Sequence, residues 1–224
     1  MGKFNHDSYS EHEWDDGWEA VWSEADWEGY LLREEAEIRK YQKLYQKLIK
    51  SQNRLDEVAI YMGWDDEEAD ESGPRAEDES EDPEAAPPPY TLHQHPLFVA
   101  SKALHGWLRE KLHQRVAMAS EVVPPEMALE IHGLVCKSDE YGLLTVTALD
   151  HADYGLATAY IKRGLAMVNL ILGKLEGLEQ LRLEPLPRFV QQARIRLFDI
   201  REIWLRVLND CREAVYRQSD DDQS

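Results

Sequence analysis

Residues 189–215 read FVQQARIRLFDIREIWLRVLNDCREAV. Phe189, Ala193, Ile200, Ile203, Trp204, Val207, Leu208, Cys211 and Val215 recur at spacings that a helix superimposes. A helix turns about 100° per residue, so these positions gather into one broad apolar face. A strand would need alternation by two, which the segment lacks. Pro185 and Pro187 suit the opening turn of this last helix, and its apolar face must be buried against other helices.

The preceding sequence supplies candidates for those partners. In 96–119, Leu97, Ala100, Leu104, Leu108, Leu112 and Val116 are spaced by three or four, with Pro96 at the start. Pro124-Pro125 predicts a stop, then a short helix through about Cys136. Ser138 is expected to cap a long apolar segment from Asp139 to about Gln180, with a break near His151–Gly155. Gly142, Gly155, Gly164, Gly173 and Gly177 punctuate this segment and imply close packing. The fold class is therefore all-α, an antiparallel helical bundle in 93–218.

Residues 30–62 carry a heptad seam: Leu31, Ile38, Tyr45 and Ala59 at one position, and Tyr41, Leu48, Leu55 and Met62 at its partner, with Gln52 the polar exception. This predicts one long amphipathic helix over 30–63, closed by Gly63. Either it completes the bundle or it pairs with a second copy as a homo-oligomer. An acidic, Pro-rich linker, 64–92, tethers it to the bundle, and 219–224 form an acidic tail. Pro87-Pro88-Pro89-Tyr90 reads as a stiff polyproline spacer, although it also matches the short PPxY pattern of WW-domain ligands.

The net charge of −19 is unevenly placed. Residues 1–30 hold nine acids and one base, and residues 65–84 hold twelve acids and one base. By contrast, 31–64 carry +2 and 85–218 carry +1. A nearly neutral body thus bears acidic attachments. Across 188–217, however, seven arginines face four acids. Arg194, Arg201 and Arg206 are candidates for a cationic face, against which residues 11–30 or 65–84 could lie. Nucleic acid is an unlikely partner because the overall charge repels phosphate.

The acidic segment 1–29 also holds Trp14, Trp18, Trp22 and Trp27. The first three are spaced by four, which stacks them on one helical stripe, while Trp27 falls about 220° from Trp14. Aromatic anchors among acids suit a partner protein with an apolar groove and a basic rim. Docking of the same tryptophans on the chain's own bundle is the competing expectation.

Signals for catalysis are weaker. Arg109, Glu110 and His113 share one helix, and His105, Arg109 and His113 fall on a stripe read as solvated. Glu110-x-x-His113 is half of a di-metal bundle motif and lacks a second copy. Three residues separate Arg109 from His113, which does not fit the spacing of HEPN-type helical ribonucleases. Asp150, His151 and Asp153 cluster at the expected helix break, either as a small polar site or as N-cap carboxylates. Gly-rich phosphate loops, nucleophile elbows and zinc patterns are absent from the sequence. No catalytic residue, metal or cofactor is expected. Cys136 and Cys211 are expected to be buried thiols, and the N-terminus lacks a secretory apolar stretch. The sequence thus predicts a cytoplasmic, non-catalytic interaction or adaptor protein with no membrane partner. The alternatives are a helical-bundle enzyme or nucleic-acid-acting domain, and an acidic mimic of nucleic acid.

Overall fold

The computed structural model describes residues 22–64, 94–118, 123–181 and 186–221. Six helices account for them: α1 Glu24–Leu48, α2 Arg54–Met62, α3 Pro96–Met118, α4 Pro125–Asp150, α5 Tyr154–Gln180 and α6 Leu186–Asp221. The described residues contain no strand. None of these helices is long and apolar enough to cross a membrane. The chain divides into two compact units, Met1–Arg33 and Glu34–Ser224.

In the larger unit, cross-helix pairs fix the direction of each helix. Met127 touches Gly177, Lys174 bonds Glu130, and Tyr141 meets Tyr160, so α5 runs back along α4. Arg194 pairs with Glu179 and Trp204 lies on Gly164, so α6 runs back along α5. Trp204 also bonds Ser101, while Phe189 stacks on Trp107, so α6 is antiparallel to α3. With α3 packed on α4, the four helices form a closed ring.

Trp204 is the centre of that ring. It is fully buried, and its Nε1 donates to Ser101 Oγ at 3.0 Å. A Cβ on Gly164 would fall 1.8 Å from the indole, and one on Gly142 would fall 3.5 Å from it. Of the expected packing glycines, Gly164 thus makes room for the indole, whereas a Cβ at Gly142 would only touch it. Gly173 has open space instead, and a Cβ there would meet nothing within 4 Å.

Two sequence expectations need correction. Ser138 caps nothing, because α4 runs unbroken through it and buries its hydroxyl. The break expected near His151–Gly155 is present at His151–Asp153, where Asp153 accepts from Leu156 N at 2.9 Å and starts α5. The helix expected over 30–62 is two helices, with a turn at 49–53. There Ser51 Oγ donates to Glu57 and accepts from Asn53 N, so local polar groups take up the backbone. Gly63 does close α2, in the left-handed conformation at φ 80°.

That turn makes a hairpin. Tyr41 stacks on Trp64 while Tyr45 and Arg54 share the Asp199 carboxylate, so the chain beyond the turn runs back along α1, and Gln46 bonds Arg196 of α6. Arg54 and Asp56 of α2 bond Asp199 and Arg206, so α2 runs parallel to α6. Tyr41, Tyr45, Val58 and Met62 join the main core. Over 38–62 the heptad seam therefore packs within its own chain.

In the smaller unit, α1 begins six residues earlier than expected. Asp26 Oδ2 accepts from Ser23 N at 2.8 Å and Ser23 Oγ at 2.6 Å, and Ser23 Oγ accepts from Asp26 N at 3.3 Å. This is a reciprocal capping box. Trp22 and Trp27 flank it, with centroids 4.7 Å apart at 64°, as a hydrophobic staple.

Adding one methyl at Gly164 should destabilise the bundle by about 3 kcal/mol or more, because the buried indole must move. Gly173→Ala should instead stabilise α5 by up to about 1 kcal/mol. Urea unfolding of Gly164→Ala beside Gly173→Ala measures both, and similar effects at the two positions would contradict the packing described.

Candidate functional site

A buried carboxylate on α6 gathers the hairpin. Arg54 approaches Asp199 as a fork, Nε to Oδ2 and Nη2 to Oδ1, both at 2.6 Å. The Tyr45 hydroxyl donates to Oδ2. The Asp199 hydrogen bond raises the Arg54 pKa, and burial then Asp199 raise that of the Tyr45 phenol. Both groups therefore stay protonated, as donors to a carboxylate. Beside them, Arg196 is buried, with its guanidinium 3.7 Å from the Trp107 ring centroid and Nη2 bonded to Gln46 at 2.7 Å. This is a positioning network with every strong group engaged, and it offers no free nucleophile or base.

A second buried cluster corrects the reading of α3. His105 is fully buried rather than solvated, and its Nδ1 lies 2.6 Å from Asp139 Oδ1. Arg109 Nη1 donates to the other carboxylate oxygen at 2.7 Å. Asp139 thus ties α3 to α4, and Arg109 is not paired with His113. His113 and Glu110 are exposed, and Glu110 accepts from Gln114 at 2.7 Å.

At one end of the ring, His95, Asp150, Tyr154, Asp210, Cys211 and Arg217 line part of a groove of 830 Å³. Its chemistry is restrained. Burial, then the charge of Asp210, pushes the Cys211 thiol up, which disfavours thiolate. His95 is the N-cap of α3, with Nδ1 accepting from Leu97 N at 3.1 Å. Burial lowers its pKa to about 4. Asp150 reaches the groove, while His151 is exposed at the end of α4 and Asp153 caps α5. Cys136 is exposed, contrary to expectation, with its sulfur 3.5 Å from His132 Nε2. Among the described residues, no three His, Cys, Asp or Glu side chains are placed to hold a metal ion.

No family model, curated protein or solved structure matches this chain. The geometry alone must carry the functional argument.

The expected cationic face of α6 is not a continuous surface. Arg194 pairs with Glu179 at 2.8 Å, and Arg206 lies between Asp56 and Glu202. Arg201 alone of the three candidates has no acidic partner among the described residues and is exposed. Of the four tryptophans, Trp14 and Trp18 lie outside the described residues. Trp22 and Trp27 meet Tyr30 edge-on, with centroids 5.3 and 6.0 Å away. Trp27 is 39% exposed, and Leu31 and Leu32 are 50% and 57% exposed. The sequence reading missed these two leucines as surface groups because it placed Leu31 in a continuous seam.

His95 sets a pH dependence whose sign is fixed. Its folded pKa lies below the ordinary imidazole value, so its contribution is full above about pH 6.5 and is lost as pH falls toward 4. Protonating Nδ1 also removes the cap. Between pH 7 and 4.5 the protein should lose about 2 kcal/mol more than His95→Asn, whose amide oxygen still caps. Urea midpoints at the two pH values test this, and parallel losses would remove His95 as the cause.

Proposed function

We propose that this protein is a non-catalytic interaction or adaptor protein of the cytoplasm. Its proposed contact surface for another protein is the start of α1 together with the Trp-rich acidic segment before it. The observation that carries this reading is the exposure of Trp27, Leu31 and Leu32 on a helix that is already capped and stapled. At about 100° per residue, these three fall within about 140° of helix surface, and Glu24 and Glu28 share the same arc. Large apolar side chains flanked by acids fit an apolar groove with a basic rim. The capping box and staple hold this surface as a helix before any encounter, which lowers the ordering cost of binding. On α2, Ile60 and Tyr61 are exposed at 60% and 63% and supply a second, smaller apolar contact.

The test compares affinity capture by the intact protein, a form lacking residues 1–29, and Leu31→Ser/Leu32→Ser. The double variant leaves Trp22, Ser23, Asp26 and Trp27 in place. Both altered forms should lose the same specific partners by tenfold or more while keeping native helical circular dichroism. An unchanged partner set would remove the N-terminal surface from the account.

A further inference from the structure

The outer face of α1 is basic, and its basic groups are mostly unpaired. Arg39, Lys40, Lys43 and Lys47 fall within about 100° of one another around the helix axis, and Lys50 follows in the next turn. Tyr41 and Tyr45, which enter the core, lie on the opposite side. All five basic residues are exposed. Arg39 bonds Glu35 at 3.0 Å and Lys40 lies 4.0 Å from Glu37. Lys43, Lys47 and Lys50 have no acidic partner among the described residues. A hollow of 370 Å³ runs between Ala36, Arg39, Lys40, Lys43, Leu44 and Lys47, with the alanine and Leu44 as its apolar part.

We propose that this face is the docking site of the chain's own acidic segment, residues 65–84. Three observations select that occupant. The segment carries twelve acids against Arg75, the opposite sign at high density. It starts against α1, because Trp64, the residue before it, stacks on Tyr41 with centroids 5.6 Å apart, on the side of the helix opposite the lysines. Its reach suffices: a helix is about 10–12 Å across, so half its circumference is about 16–19 Å, and at about 3.3 Å per residue roughly five or six residues bring the chain around α1. The remaining acids then extend past the run from Arg39 to Lys50.

Tethering decides between this segment and a free polyanion. A short linker presents its acids at an effective concentration in the millimolar range, whereas a free polyanion must approach a protein of net charge −19. On α6, Arg194, Arg206 and Arg217 have acidic partners, and the exposed Arg188, Arg201 and Arg212 are 13 and 11 residues apart, so they form no cluster like that of α1. Docking neutralises the lysines of α1 and leaves the N-terminal surface as the exposed recognition element.

Zero-length carbodiimide coupling of the full chain tests this directly. An equal mixture of isotopically light and heavy protein separates bonds within a chain from bonds between copies. At about 0.02 M salt, amide links should join Lys40, Lys43, Lys47 or Lys50 to acids of 65–84 within one chain. At about 1 M salt, where charges are screened within about 3 Å, they should fall several-fold. Lys43→Glu/Lys47→Glu/Lys50→Glu changes only exposed side chains. In low salt, its linker should be cut by a glutamate-specific protease at the rate the native linker shows in high salt. Links spread evenly to Lys102, Lys137, Lys162 and Lys174 would overturn the proposal. So would links found only between copies, or equal cleavage of variant and native protein in low salt.

Discussion

The structure of the larger unit turns on the Asp199 carboxylate. It sits on α6, is 5% exposed, and receives the Arg54 fork and the Tyr45 hydroxyl. A buried carboxylate without donors is strongly disfavoured, and a buried pair broken on one side costs about 3–5 kcal/mol. The α1–α2 hairpin supplies those donors, so the two parts require each other. Arg196 strengthens the same contact by lying over Trp107 of α3 while bonding Gln46 of α1. The hairpin is thereby part of the core, through Tyr41, Tyr45, Val58 and Met62.

The second constraint is steric. Trp204 occupies the axis of the ring formed by α3–α6, and Gly164 leaves no room for a side chain beside it. One large residue and one missing one set the approach of α5 to α6. Polar ties then fix register: Trp204 to Ser101, and His105 and Arg109 to Asp139. These groups hold helices together: His105 and Arg109 of the α3 stripe both reach Asp139, while His113 is exposed.

Periodicity made the helices legible. The apolar faces of 96–119 and 189–215 are set by positions that repeat through a single helix, and the structure buries Leu97, Leu104, Leu108, Phe189 and Trp204. Gly63 and Asp153 were legible as helix ends because their backbone roles are local. What could not be read was any feature that depends on a distant partner. Asp199, Arg196 and His105 look like surface residues on their own helices, and only the facing helices bury them. The turn at 49–53 was hidden because Gln52 could be excused as one polar position in a seam. Ser23-x-x-Asp26 is a local signal, but it precedes the heptad seam at Leu31 from which the helix start was drawn. Of the candidate site, Trp27 was named from the sequence with docking on the chain's own bundle as the competing expectation, whereas Leu31 and Leu32 emerged only from their exposure.

A consistent functional picture results. The bundle and hairpin form a scaffold whose buried Asp199 and Asp139 carboxylates are both engaged internally. The recognition surface proposed above is the helical start at Trp22–Leu32, and the proposed docking face is the outside of α1. This assignment depends on the hairpin being integral to the core. Native-state hydrogen exchange measures that most directly, by comparing amides of Tyr41–Leu48 and Val58–Met62 with those of Phe189–Leu208. The account predicts that all three groups exchange through the same global opening. Hairpin amides that exchange several kcal/mol more readily than those of α6 would contradict it.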